Sequence, residues 1–237
     1  MTERTWERYG AASGIAFGIL VLVAVFVAPQ PPHVDASAQK IVGYYTDHRH
    51  AVLASGVFGA FATIAAILFI AHLRHVYDRV EHGIEGLSTV VYAAGLMAVA
   101  ASLFFGLMST TLAFLVAQPG GLLDSGLVRA LYDMGYVGNG IASVLTALFL
   151  AGNAVAMVRG EATTPAIGWF AGLAAAVNLA AGLSGLTVSS YSSGWTVVFL
   201  VALLSLSAWS IVAGGVMMRR PEVEAIAQHR SAIAPAH

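Results

Sequence analysis

Cysteine is absent from the chain. Disulfides, thiol nucleophiles, iron–sulfur clusters and thioether-linked haem are thereby excluded. Charge is almost as scarce. Asp, Glu, Lys and Arg make up 10% of the 237 residues, against roughly 25% in an ordinary soluble domain. The formal net charge of −1 offers no basic field for nucleic acid. Neither a Gly-rich phosphate cradle ending in Lys-Ser/Thr nor a His-Glu-x-x-His zinc helix is present. No motif calls for a cofactor.

What remains is apolar. Hydrophobic residues make up 58% and mean hydropathy is +0.80. They gather into six runs: Gly10–Ala28, Ala51–Leu73, Leu87–Ala117, Tyr136–Val158, Ala166–Val188 and Trp195–Met218. A helix needs about 20 apolar residues to cross the hydrocarbon core of a bilayer, and each run supplies that. The fold class is therefore all-α, a polytopic bundle of six transmembrane helices. Residues 1–220 form the six-span domain and 221–237 a tail. The first run is longer than a signal-peptide core, and Pro29 follows it directly, so it reads as a retained span.

Six spans put both termini on one side. That side would carry Arg4, Arg8, Arg74, Arg79, Arg159, Arg219, Arg220 and Arg230, and the other side Lys40, Arg49 and Arg129. The 8 to 3 division of the 11 basic residues predicts cytoplasmic termini and a multi-pass cell-membrane protein.

Two of the outer links share a plan. In the first, Pro29, Pro31 and Pro32 make a turn, Asp35 or Ser37 caps, and Ile41, Val42, Tyr44 and Tyr45 give an apolar side. In the second, Pro119, Gly120 and Gly121 turn, Asp124 or Ser125 caps, and Leu127, Val128, Leu131 and Met134 follow. Each predicts a short outer interfacial helix, over Asp35–His48 and Asp124–Met134. The shared spacing of Asp35 with Lys40 and Asp124 with Arg129 suggests copied hairpins.

No Asp, Glu, Lys or Arg falls inside the six runs. Charged midplane sites of pumps and ion-coupled transporters are thus disfavoured. Neutral polar residues take their place. Asn139, Ser143 and Thr146 share one face of the fourth span, Asn153 extends it, and Asn178 lies mid-span in the fifth. Such groups either bridge helices or line a polar cavity open to the outside. On the cavity reading, Asn139, Ser143, Thr146 and Asn178, with Arg129, Tyr132 and Tyr136 at the head of the fourth span, would bind an amphipathic or lipid-like molecule for transport, tolerance or sensing. If the protein is instead a membrane-embedded enzyme, the acid–base groups would be Asp47, His48 and Asp133. Asp47, His48 and His50 also have metal-ligand spacing, against a plain solvated interface. Gly10, Gly14 and Gly18 form a close-packing face, for the bundle itself or for a homodimer or partner subunit. Lipids surround any such chain.

Trp6-Glu7-Arg8 before the first Gly-rich run, Tyr44-Tyr45 with Asp47-His48-Arg49 before the second, and Pro165 with Gly168-Trp169 opening the fifth carry a resemblance. The layout resembles a family of uncharacterised bacterial six-span membrane proteins, a domain of unknown function. The resemblance spans nearly the whole chain and implies the fold, with no activity attached.

Overall fold

A computed structural model describes residues 3–80, 86–118, 124–159, 164–187 and 193–219. Among them are seven helices and no strand: α1 (Glu3–Val27), α2 (Ala38–Asp47), α3 (Arg49–Val80), α4 (Leu87–Leu115), α5 (Ser125–Arg159), α6 (Pro165–Thr187) and α7 (Ser193–Arg219). All but α2 are long and apolar enough to cross a membrane. The tail and the turns at 119–123 and 188–192 lie outside the described residues.

Local chemistry sets the element ends. Ser37 caps α2, its hydroxyl accepting from the Lys40 N–H at 3.3 Å. Gly86 opens α4 from a left-handed conformation (φ 87°) that a side chain would strain. Pro165 begins α6, where a missing N–H costs nothing.

Each spanning helix packs on its neighbours in sequence, and α1 packs on α7, so the six close into a ring. Short links make antiparallel neighbours the natural outcome. Small residues set the seams. A Cβ on Gly10 would lie 2.5 Å from His72, one on Gly14 2.6 Å from Phe69, and one on Gly18 2.6 Å from the Ser207 carbonyl. The face considered for a homodimer is thus the seam of α1 with α3 and α7. With its groove already filled by the chain's own side chains, it is not a free surface for a second copy.

Two separate cores result. The larger is centred on Trp209, wholly buried, with ring centroids 6.0 Å from Phe69 and 5.8 Å from Phe149. Three alternate helices of the ring thereby meet on its axis. The smaller core gathers Ile41 and Tyr45 of α2 against Val52, Leu112, Val128 and Tyr132. It closes the end of the ring that carries α2, the capped end.

One expectation about the helices needs correction. Asp124–Met134 is helical from Ser125, but it is not a separate helix: α5 runs unbroken for 35 residues, about 52 Å at 1.5 Å per residue, so its first turns rise beyond the roughly 30 Å hydrocarbon core. Gly135 lies inside this unbroken helix, seated against Met108 and Phe105 of α4. In the first link, by contrast, His48 leaves the helical region (φ −112°, ψ 18°) and divides α2 from α3. Helix α1 begins at Glu3, before its apolar run, and Glu7 in that added stretch is 4% exposed, one turn from the Gly10–His72 contact.

Candidate functional site

The site emerges from the burial pattern along α5. Gly135 and Gly138 face Phe105 of α4, while Gly140 and Val144 face Gly182 of α6. At about 100° per residue these contacts mark the two flanks of the helix. Between them on one side lie Val137, Ile141 and Leu148, exposed as lipid-facing residues should be. On the other side, facing the ring axis, Leu150 and Asn153 are wholly buried. Asn139 and Ser143 lie on this same inward arc, yet Asn139 is exposed and Ser143 only half-buried. Burial therefore runs closed at Val128 and Tyr132, open at Asn139 and Ser143, and closed again from Thr146.

Helix α4 repeats the pattern. Gly95 touches both Phe149 of α5 and Ile70 of α3, which fixes the inward arc. Ala98 on that arc is buried, and Ser102 one turn later is exposed. Gly106 has nothing within 4 Å of where its Cβ would lie. At Ser109 the arc closes, its hydroxyl accepting from the Tyr45 O–H at 3.1 Å. The Gly138–Phe105 contact brings Asn139 level with the Ser102–Gly106 stretch. Between the two cores, the inward arcs of α4 and α5 thus share a less buried level, with Tyr45 and Tyr132 above and Ala98, Thr146 and the Trp209 cluster below.

This level is two-sided. Asn139, Ser143 and Ser102 make one wall polar. Across from them, Val21 and Val25 continue the inward arc of α1, and Phe199 of α7 meets Tyr136 with centroids 6.0 Å apart. Every described residue on these walls is neutral.

A strap holds the roof. The Tyr44 O–H donates to the Pro29 carbonyl at 2.5 Å and the Tyr132 O–H to that of Pro32. Arg129 donates through Nη1 to the Ala36 carbonyl at 2.8 Å and through Nε to Asp133 at 2.9 Å. Arg49 Nε reaches the Ala113 carbonyl at 3.2 Å. These donors satisfy main-chain carbonyls that no regular ladder serves. Burial, then the neighbouring Tyr45, pushes the Tyr44 phenol up from 10.0 to about 12. The fold thus favours the neutral phenol. Its contribution is full below pH 10 and is lost as pH rises through about 12. A fluorophore on Lys40, the single lysine, should report loosening of the strap over that window. Tyr44→Phe should abolish the transition.

The expected site residues divide accordingly. Asn139 and Ser143 lie at the less buried level, Tyr136 is half-buried beside it, and Thr146 is buried below it, its hydroxyl donating to the Ala142 carbonyl. Asn178 belongs elsewhere: its amide bridges α6 to α7 through the Ala202 carbonyl at 3.2 Å. Arg129 and Tyr132 hold the strap. Of the acid–base candidates, Asp47 is exposed at the end of α2 and His48 stacks edge-on against Tyr44 at 5.1 Å. Asp133 sits about 120° around α5 from Asn139, paired with Arg129. Asp47, His48 and His50 do not converge as metal ligands, and no three His, Asp or Glu side chains do so among the described residues. Ser102, one of the neutral polar residues of the third span with Tyr92, Ser109, Thr110 and Thr111, lies level with Asn139, and its seven-residue spacing from Ser109 puts both serines on one face of α4.

Comparison of the chain with family models, with curated proteins and with solved structures finds no match.

Proposed function

We propose that this less buried level is a chamber and that the protein binds an amphipathic small molecule within it, with the polar end against α4 and α5 and the apolar end toward α1 and α7. The observation that carries the reading is the exposure of Asn139, with Ser143 half-buried beside it, on an arc that is packed above at Val128 and Tyr132 and below from Thr146. A polar side chain that only bridged helices would be buried in a seam, as Asn178 is. A neutral lining with a few hydrogen-bonding groups suits an uncharged or charge-balanced ligand. The acid–base candidates lie away from the chamber, which favours binding, as in transport or sensing, over catalysis.

Native mass spectrometry of the purified protein tests this. Wild type should carry a co-purifying amphiphile, and Asn139→Leu with Ser102→Leu should lose it while retaining the fold. Equal retention in both would leave the polar wall without a binding role.

On the basic-residue division we read the capped end as the outer one. Single cysteines at Ser37 and Ser125, both exposed at that end, should react with an impermeant thiol reagent on intact cells, and one at Arg8 should not. The reverse pattern would invert the protein in the membrane.

A further inference from the structure

We infer that the α1–α3 seam, at the end away from α2, is a proton-binding site in which His72 takes the proton and Glu7 supplies the counter-charge, and that filling it parts α1 from α3. Histidine and glutamate are costly inside a membrane bundle, and there they mark places that bind or pass protons and ions. These two are each 4% exposed. They come from neighbouring helices. His72 lies against Gly10, where a Cβ would meet its ring carbon at 2.5 Å and its Nδ1 at 2.6 Å. Glu7 precedes Gly10 by three residues and so shares that face of α1.

The closed seam suits the neutral imidazole. Nδ1 is buried with no hydrogen-bond partner among the described residues. The main chain of α1 stands against it, and the Gly10 carbonyl already accepts from the Ser13 hydroxyl at 2.6 Å. A leucine would fill the same space and leave no polar atom stranded. A protonated ring needs an acceptor at Nδ1, and a desolvated charge without one is unfavourable. The other charged groups around it do not offer one. His75, three residues on along α3, is a second base. Arg74 pairs with Asp78 at 3.7 Å and lies over the Tyr92 ring of α4. Arg219 of α7 is exposed. Glu7 is the acid on this face of α1, and parting the helices brings water and its carboxylate to the imidazolium. An imidazole open to water titrates at about 6.5. The closed seam is therefore favoured above that pH and the parted one below it. Helix α1 runs unbroken from here to Val21 and Val25, so its movement reaches the level where the proposed ligand would lie; the proton site itself does not depend on that reading.

The test places a single cysteine at Ser13, buried beside the seam, and for reference another at the exposed Ala16. Both variants are reconstituted and treated with a neutral, membrane-permeant thiol reagent, and the ratio of their rates corrects for titration of the thiol. The ratio should rise about 30-fold from pH 8 to pH 5, as expected when one ordinary imidazole binds its proton only in the parted form. His72→Gln should abolish the rise, His75→Gln should keep it, and Glu7→Gln should move it to lower pH. A flat ratio in the parent, or a rise that survives His72→Gln, would overturn the site. A rise unmoved by Glu7→Gln would overturn the pairing. Hydrogen exchange at the imidazole C2 of His72, read by mass spectrometry on the unsubstituted protein, needs no variant to fold. It should follow a titration between pH 8 and pH 5, and exchange without one would equally overturn the site.

Discussion

Gly214→Val should destabilise the protein severely, while the neighbouring Gly215→Val should leave it almost unchanged. A Cβ on Gly214 would lie 2.5 Å from the Ala11 carbonyl oxygen and 3.1 Å from the Ile15 nitrogen. Both are main-chain atoms of a helix and cannot swing aside. Relief requires α7 to move away from α1, at the seam that closes the ring. Overpacking of this kind costs about 3 kcal/mol. Gly215 has nothing within 4 Å of its Cβ position. Detergent-based unfolding of the pair of variants measures the difference. Equal stabilities would mean that α1 and α7 are not in contact at this level.

Trp209→Ala should cost about 3–5 kcal/mol, the usual range for emptying a large aromatic site. Trp209 heads the fully buried side chains by size and touches Phe69 and Phe149, so no single neighbour can fill its space. Trp209→Phe should lose far less. The indole N–H has no hydrogen-bond partner among the described residues, so the phenyl ring forfeits volume and no hydrogen bond. If Trp209→Phe and Trp209→Ala were equally damaging, packing would not be the role of this residue. Thermal unfolding of the two variants, measured side by side, decides it.

Spans were legible because span length is a composition property: 20 apolar residues announce themselves without knowledge of neighbours. The α2 helix was legible for a similar reason, since Ser37 caps it locally and Ile41 and Tyr45 share a face. Continuity of α5 was not. Whether Met134–Tyr136 bends depends on Gly135 seating against α4, a contact between residues far apart in sequence. The same limit governs the site. Asn139 and Asn178 are alike in sequence, each an amide within a span, yet one faces a chamber and the other a seam. Only the rotation of each helix about its axis separates them, and that rotation is set by contacts with neighbouring helices, such as Gly138 on Phe105 and Gly182 on Val144.

The central claim is an open level between two closed ones along the inward arc of α5. Single cysteines at Tyr132, Asn139, Thr146 and Asn153 measure it directly, by reaction with a small, neutral, membrane-permeant thiol reagent on the reconstituted protein. The expected result is modification at Asn139→Cys with protection at the other three positions, which are 8% exposed or less. Protection of Asn139→Cys equal to that of Thr146→Cys would put a packed core where the chamber is and contradict the account.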